Sequence, residues 1–182
     1  MPIGIRIAPY GKFRKLIQDL NRIERIVEGK KTQAAMQQLA EAARDFIVNG
    51  IKNGRGDWEK LNEMTKEMKG SSAILIDSGS FMNSMTTWQE GKRWFAGVPA
   101  GATGSRGQDL TLVGLVHERG ATIQVTEGIR GFFAAKGFPL RADTKYLRVP
   151  SRPWFEPAVK ETDEFADTIL EPLVSEILKE IG

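Results

Sequence analysis

His117 and Glu118 are adjacent, and this pair begins the helical metalloprotease pattern in which a second histidine four residues on shares the metal and the Glu acts as base. Ala121 stands where that second histidine is needed, and His117 is the only histidine among 182 residues. Cysteine is absent. A multi-histidine or thiolate metal site is thereby excluded, and any histidine dyad or triad would run through His117 alone. A structural place at a helix end or turn is the better reading of this residue. Ser78, Ser80 and Ser84 carry hydroxyls, but Asp77-Ser78-Gly79-Ser80 is not a nucleophile elbow, and turn and capping chemistry accounts for it.

Gly101-Ala102-Thr103-Gly104-Ser105-Arg106-Gly107 has the glycine density of a phosphate cradle, but Gln108-Asp109 follows where Lys-Ser or Lys-Thr is required. Glu59, Glu63 and Glu67 recur every four residues, interleaved with Lys60, Lys66 and Lys69, which describes a solvated charged face better than an acid–base pair. Trp58, Trp88, Trp94 and Trp154 fall on different elements and suit core or interface anchoring rather than base stacking. No catalytic, cofactor-binding or metal-binding residue is assigned, no cofactor is expected, and an enzymatic role is not.

Charge is unevenly spread. The net charge is +3, but residues 1–56 hold 11 Lys and Arg against 5 Asp and Glu, a net of +6, whereas residues 156–182 hold 2 against 8, a net of −6. Such ends pair with each other, steer nucleic acid, or form two solvated faces. The interface candidates are Arg14, Arg22 and Arg25 at the front, and Glu161, Glu164 and Glu171 at the back. No apolar run reaches the roughly 20 residues of a membrane span, and Met1–Tyr10 lacks a signal-peptide core, so a soluble, unexported protein is expected.

The elements that position these residues follow from periodicity. Phe13, Leu16, Ile17, Leu20, Ile23 and Val27 predict an amphipathic helix. A second helix starts near Thr32 as N-cap, with Met36, Leu39, Ala40, Ala43, Phe46 and Ile47 on one face, and Asn49-Gly50 and Asn53-Gly54-Arg55-Gly56 then break it. Residues 57–70 hold a short helix or ordered loop, and Ser80–Met85 a helical turn capped by Asp77 or Ser78. Thr86–Trp88 and Arg93–Val98 around Glu90-Gly91-Lys92 predict a hairpin. Pro99–Asp109 reads as an exposed loop, and Leu110–His117 as strand or short helix. Ala121–Thr126 and Tyr146–Val149 read as strands, and 129–136 is ambiguous. Phe165, Ile169, Leu173, Ile177 and Ile181 step by four along a long last helix, which Pro172 should kink or interrupt. The sum is one α+β domain spanning 1–182: an N-terminal helical part over 1–56, a small mainly antiparallel sheet with long loops, and a C-terminal helix over 156–182.

The order of four pieces resembles a known group. Trp58 with Leu61 and Thr65, then Leu75-Ile76-Asp77-Ser78-Gly79-Ser80-Phe81-Met82-Asn83-Ser84-Met85, then a hairpin and Val116-His117-Glu118-Arg119-Gly120-Ala121-Thr122, then Val149-Pro150-Ser151-Arg152-Pro153-Trp154-Phe155 is similar to the phage virion morphogenesis family of tail-completion and head–tail joining proteins. The resemblance covers roughly Trp58 to Ala158. It implies a structural virion protein of a tailed phage or prophage, located in the neck or tail and in the host cytoplasm during assembly. It implies a homo-oligomeric ring, expected as a hexamer, that contacts head-connector and tail proteins and has at most passing contact with DNA. The alternative taken from the residues themselves is a DNA-binding module using the basic N-terminal helices.

Overall fold

In a computed structural model of the chain, residues 29–55 and 57–181 are described. The predicted helix over 13–27 and the candidates Arg14, Arg22 and Arg25 lie outside them. The fold is α+β as expected, but among the described residues it carries two separate two-stranded antiparallel sheets rather than one.

Helix α1 spans Lys30–Asn53, and its N-cap is Gly29, with Thr32 inside the first turn. It runs past the first expected break, Asn49-Gly50, and ends at the second, with Gly54 as its C-cap. A glycine costs a helix interior about 1 kcal/mol, but here the bare backbone makes room for a side chain: a Cβ on Gly50 would lie 2.5 Å from Arg55 Nη2. Arg55 in turn donates from Nη1 to Glu161 at 2.6 Å. Ala35, Ala40, Ile47 and Ile51 form the buried side of α1.

Helix α2 (Glu63–Lys69) is capped by Asn62, whose side chain accepts from the Thr65 N–H at 2.7 Å. Helix α3 (Ser80–Asn83) has Gly79 as its N-cap residue, and Ser78, one of the two expected caps, accepts from the Ser80 N–H at 3.3 Å, while Asp77 pairs with Arg106 instead. Gly79 takes a left-handed conformation, φ +80, which carries the chain into the turn at little steric cost. Strands β1 (Thr86–Glu90) and β2 (Arg93–Gly97) form the predicted hairpin, with Trp88 opposite Phe95 and their rings stacked at 5.4 Å. Gly91 opens its two-residue turn at φ +61, as primed hairpin turns require.

Helix α4 (Leu110–Arg119) resolves the ambiguity of that segment in favour of helix, because Asp109 caps it through Thr111 N at 2.8 Å and Leu112 N at 3.2 Å. Strand β3 (Ala121–Gln124) is two residues shorter than expected, since Thr126 is committed to capping helix α5 (Glu127–Ala135). Strand β4 (Tyr146–Val149) pairs antiparallel with β3. Helix α6 (Glu156–Ile181) packs along α1. It continues through Pro172 instead of breaking there: Pro172 and Thr168, whose carbonyl it deprives of a donor, are both on the exposed side, where solvent substitutes. Among the described residues, no helix is long and apolar enough to cross a membrane.

Candidate functional site

The core lies where α1, the segment before α2, α3, α4 and the start of α6 meet, and Ile47, Ile51, Trp58, Phe81, Met85, Leu110, Trp154 and Ala158 form one buried cluster there. Trp154 occupies its centre. Its ring stands edge-on to Phe81 at 5.2 Å, and its Nε1 donates to the Gly114 carbonyl at 2.9 Å. A Cβ on Gly114 would lie 3.0 Å from both rings, so glycine is what lets α4 approach so closely. Trp58 Nε1 donates to the Pro153 carbonyl at 3.0 Å, tying a residue 95 positions away into the same place.

Glu118 explains half of the His-Glu pair. Its carboxylate accepts from the backbone N–H groups of Trp154 at 2.7 Å, Phe155 at 2.9 Å and Glu156 at 3.1 Å, which are orphan donors at the start of α6. A carboxylate so committed is a helix cap, not a base held ready for substrate. Arg152 N donates to the His117 carbonyl at 2.6 Å, and Ser151 Oγ to the Glu118 carbonyl at 2.7 Å. Gly120 completes the crossing: at φ +74, a Cβ there would meet Ser151 N at 2.9 Å and Val149 O at 3.0 Å. Trp58, Phe81, Glu118, Gly120, Arg152 and Trp154, far apart in the sequence, thus converge on one packed junction.

The His117 ring lines a pocket of about 440 Å³ beside the junction. Burial, then the nearby charges of Arg152 and Lys69, lower its pKa from 6.5 to about 4. The imidazole is therefore neutral at pH 7, and its Nδ1 is buried with no partner among the described residues. Ser78 and Ser80 share a hydroxyl contact at 2.8 Å, and Ser84 Oγ donates to the Phe81 carbonyl at 2.7 Å, so these serines serve the α3 turn. Asp77 pairs with Arg106 at 2.8 Å, Glu63 with Lys66 at 2.7 Å, and Glu59 with Arg148 at 3.4 Å. No group of three or more His, Asp or Glu among the described residues is placed to hold a metal.

The glycine-rich loop is exposed but internally bonded. Thr103 bridges to Asp109, Gly104 N donates to the Gln108 carbonyl at 2.8 Å, and Leu110 N to the Ala102 carbonyl at 2.9 Å. Asp109, which sequence reasoning left in the loop, has a lowered pKa because Thr111 Oγ1 and then the Leu112 and Thr111 amides bond it. An acidic residue immediately before an apolar run was the available cue to this cap.

Of the interface candidates described, Glu161 is taken by Arg55 of the same chain, whereas Glu164 and Glu171 are exposed on α6. Near them Val174 is 51% and Leu178 62% exposed, although the row Ile169, Leu173 and Ile177 is half-buried. Residues 121–149 form an arm in which no residue is buried, with Ile123, Phe132 and Tyr146 open to solvent. Neither the arm nor the α6 face could be foreseen from periodicity, which marks an apolar side but not what covers it. Comparison with family models, curated proteins and solved structures gives no match.

Proposed function

We propose that the protein is a structural component of a tailed-phage or prophage particle, acting in head–tail joining or tail completion as one subunit of a neck or tail ring. The observation that carries this reading is the convergence of the quoted motif residues, spread from Trp58 to Phe155, on a junction that holds the chain together. Residues used in this way have a scaffolding role, with Glu118 and the serines tied into caps and turns. The exposed apolar side chains of the arm and of α6 give a ring surface to bury against its neighbours.

In such a ring, Glu164 and Glu171 with Val174 and Leu178 face the basic segment of the next copy carrying Arg14, Arg22 and Arg25. Unlike patches on separate segments give a head-to-tail contact with direction; the apolar residues hold it, and the charges set register and rate. A hexamer placed between head-connector and tail proteins fits this reading, with DNA at most passing through.

The test is the mass of the purified full chain in solution over a concentration series, with duplex DNA binding measured in parallel. A discrete ring is expected, and reversing Arg14, Arg22 and Arg25 to Glu should hinder its formation while leaving the monomer folded. A strict monomer that binds duplex DNA with a steep salt dependence would overturn the ring in favour of a DNA-binding module.

A further inference from the structure

The pocket beside the junction contains a charge imbalance among the described residues. Arg152 is 5% exposed, and its Nε and Nη2 both donate to one neutral acceptor, the Glu59 carbonyl, at 3.2 Å. Lys69 donates to the Ala73 carbonyl. Neither cation has a carboxylate within 4.0 Å among the described residues. Glu59 and Asp77 act on them from further off, while their own contacts are with Arg148 and Arg106. Arg152 Nη1 makes no hydrogen bond to the described residues, and the His117 ring lines the same pocket. A charge withdrawn from water is costly unless it is paired: four cations, Lys60, Lys69, Arg148 and Arg152, line this cavity of about 440 Å³ against two carboxylates, Glu59 and Asp77, and Arg152 is the buried one.

The remaining wall decides the kind of anion. Leu61, Leu75, Leu110 and Val113 line the pocket, so it offers an apolar side to whatever brings the charge. A phosphate dianion would set a second charge against that wall and towards Glu59 and Asp77, whereas a monoanion on a hydrocarbon stem matches both sides.

We propose that this pocket binds a carboxylate carried on a short apolar stem, with Arg152 and Lys69 as its donors and the neutral His117 ring beside it. The site is independent of the virion reading and stands or falls separately from it. A free aliphatic acid and an acidic side chain of a neighbouring protein present the same chemistry, and the isolated chain tests that shared chemistry directly.

Because His117 is the only histidine, its imidazole resonances report on this pocket without ambiguity. The full chain is titrated at pH 7 and constant ionic strength with butyrate, with inorganic phosphate and with chloride in separate series. Butyrate should give a saturable shift, chloride none, and phosphate at most a weaker one. Lys69→Met should weaken butyrate binding roughly tenfold, the scale of one charge-assisted hydrogen bond. A peptide with a Glu side chain that competes with butyrate identifies a protein-borne carboxylate as a ligand, and a peptide that does not compete restricts the site to free acids. A response to butyrate no different from chloride overturns the proposal, as does tighter saturation by phosphate. Unchanged butyrate affinity in a Lys69→Met protein that melts at the wild-type temperature also overturns it.

Discussion

The junction around Trp154 and the arm over 121–149 are joined at Gly120 and Pro150, yet they are built on opposite principles. In the junction, apolar side chains are buried and the polar atoms that enter are bonded inward, such as both tryptophan N–H groups and the Glu118 carboxylate. The arm has local order without a core. Its β3–β4 ladder and the Arg130 guanidinium, bonded to the carbonyls of Arg141 at 2.9 Å, Ala142 at 3.2 Å and Thr144 at 2.6 Å, hold its shape while Phe132 and Tyr146 remain exposed. Exposed hydrogen bonds contribute little net stability, so the arm should open at lower free energy than the junction. The difference separates a part built around a buried core from a part whose apolar side chains stay exposed.

The strongest way to break this contrast is Trp154→Ala. The change removes the ring that Phe81 and Gly114 pack against and should lower stability by about 3–5 kcal/mol in urea unfolding. A loss as small as that of an arm substitution would mean that the junction is not the core.

Acid should weaken the junction next. His117 has a folded pKa of about 4 against 6.5 in the unfolded chain, so between these values the unfolded state binds more protons. Its contribution is fully present above pH 6.5 and is lost as the pH falls towards 4. The loss amounts to ~2–3 kcal/mol after allowance for the partial exposure of the ring. His117→Gln should flatten this part of the stability profile relative to wild type, and amide exchange in α4 should quicken before exchange in the arm.

Glu118→Ala is smaller, because it removes a cap rather than a core ring. Three N–H donors at the start of α6 lose their acceptor, and a loss of about 1–2 kcal/mol is expected. Glu118→Gln, which keeps an acceptor oxygen, should recover part of it.

The smallest global effect belongs to Arg130→Ala. Unfolding midpoints should shift by about 0.5 kcal/mol or less, whereas amides over 121–149 should exchange markedly faster. A fall in global stability comparable with Glu118→Ala would show that the arm and junction unfold as one unit.

The sequence alone determined the elements whose cause is local. Apolar residues stepping by four made the last helix, alternation around Glu90-Gly91-Lys92 made the hairpin, and the lone His117 without cysteine excluded multi-histidine and thiolate metal chemistry. Periodicity also marked Ala40 and Ile47 as core positions of α1. Where local preference competes with packing, only the tertiary structure decided. Gly50 sits inside α1 where its missing Cβ leaves room for Arg55, and Gly114 in α4 lies against Phe81 and Trp154. The partners of Glu118, Trp58 and Arg152 lie from 35 to 95 residues away in the chain, and no spacing rule encodes contacts at that range. The same reason hid the pocket. His117, Lys69 and Arg152 are unremarkable one at a time, and they line one pocket only because the fold brings them together.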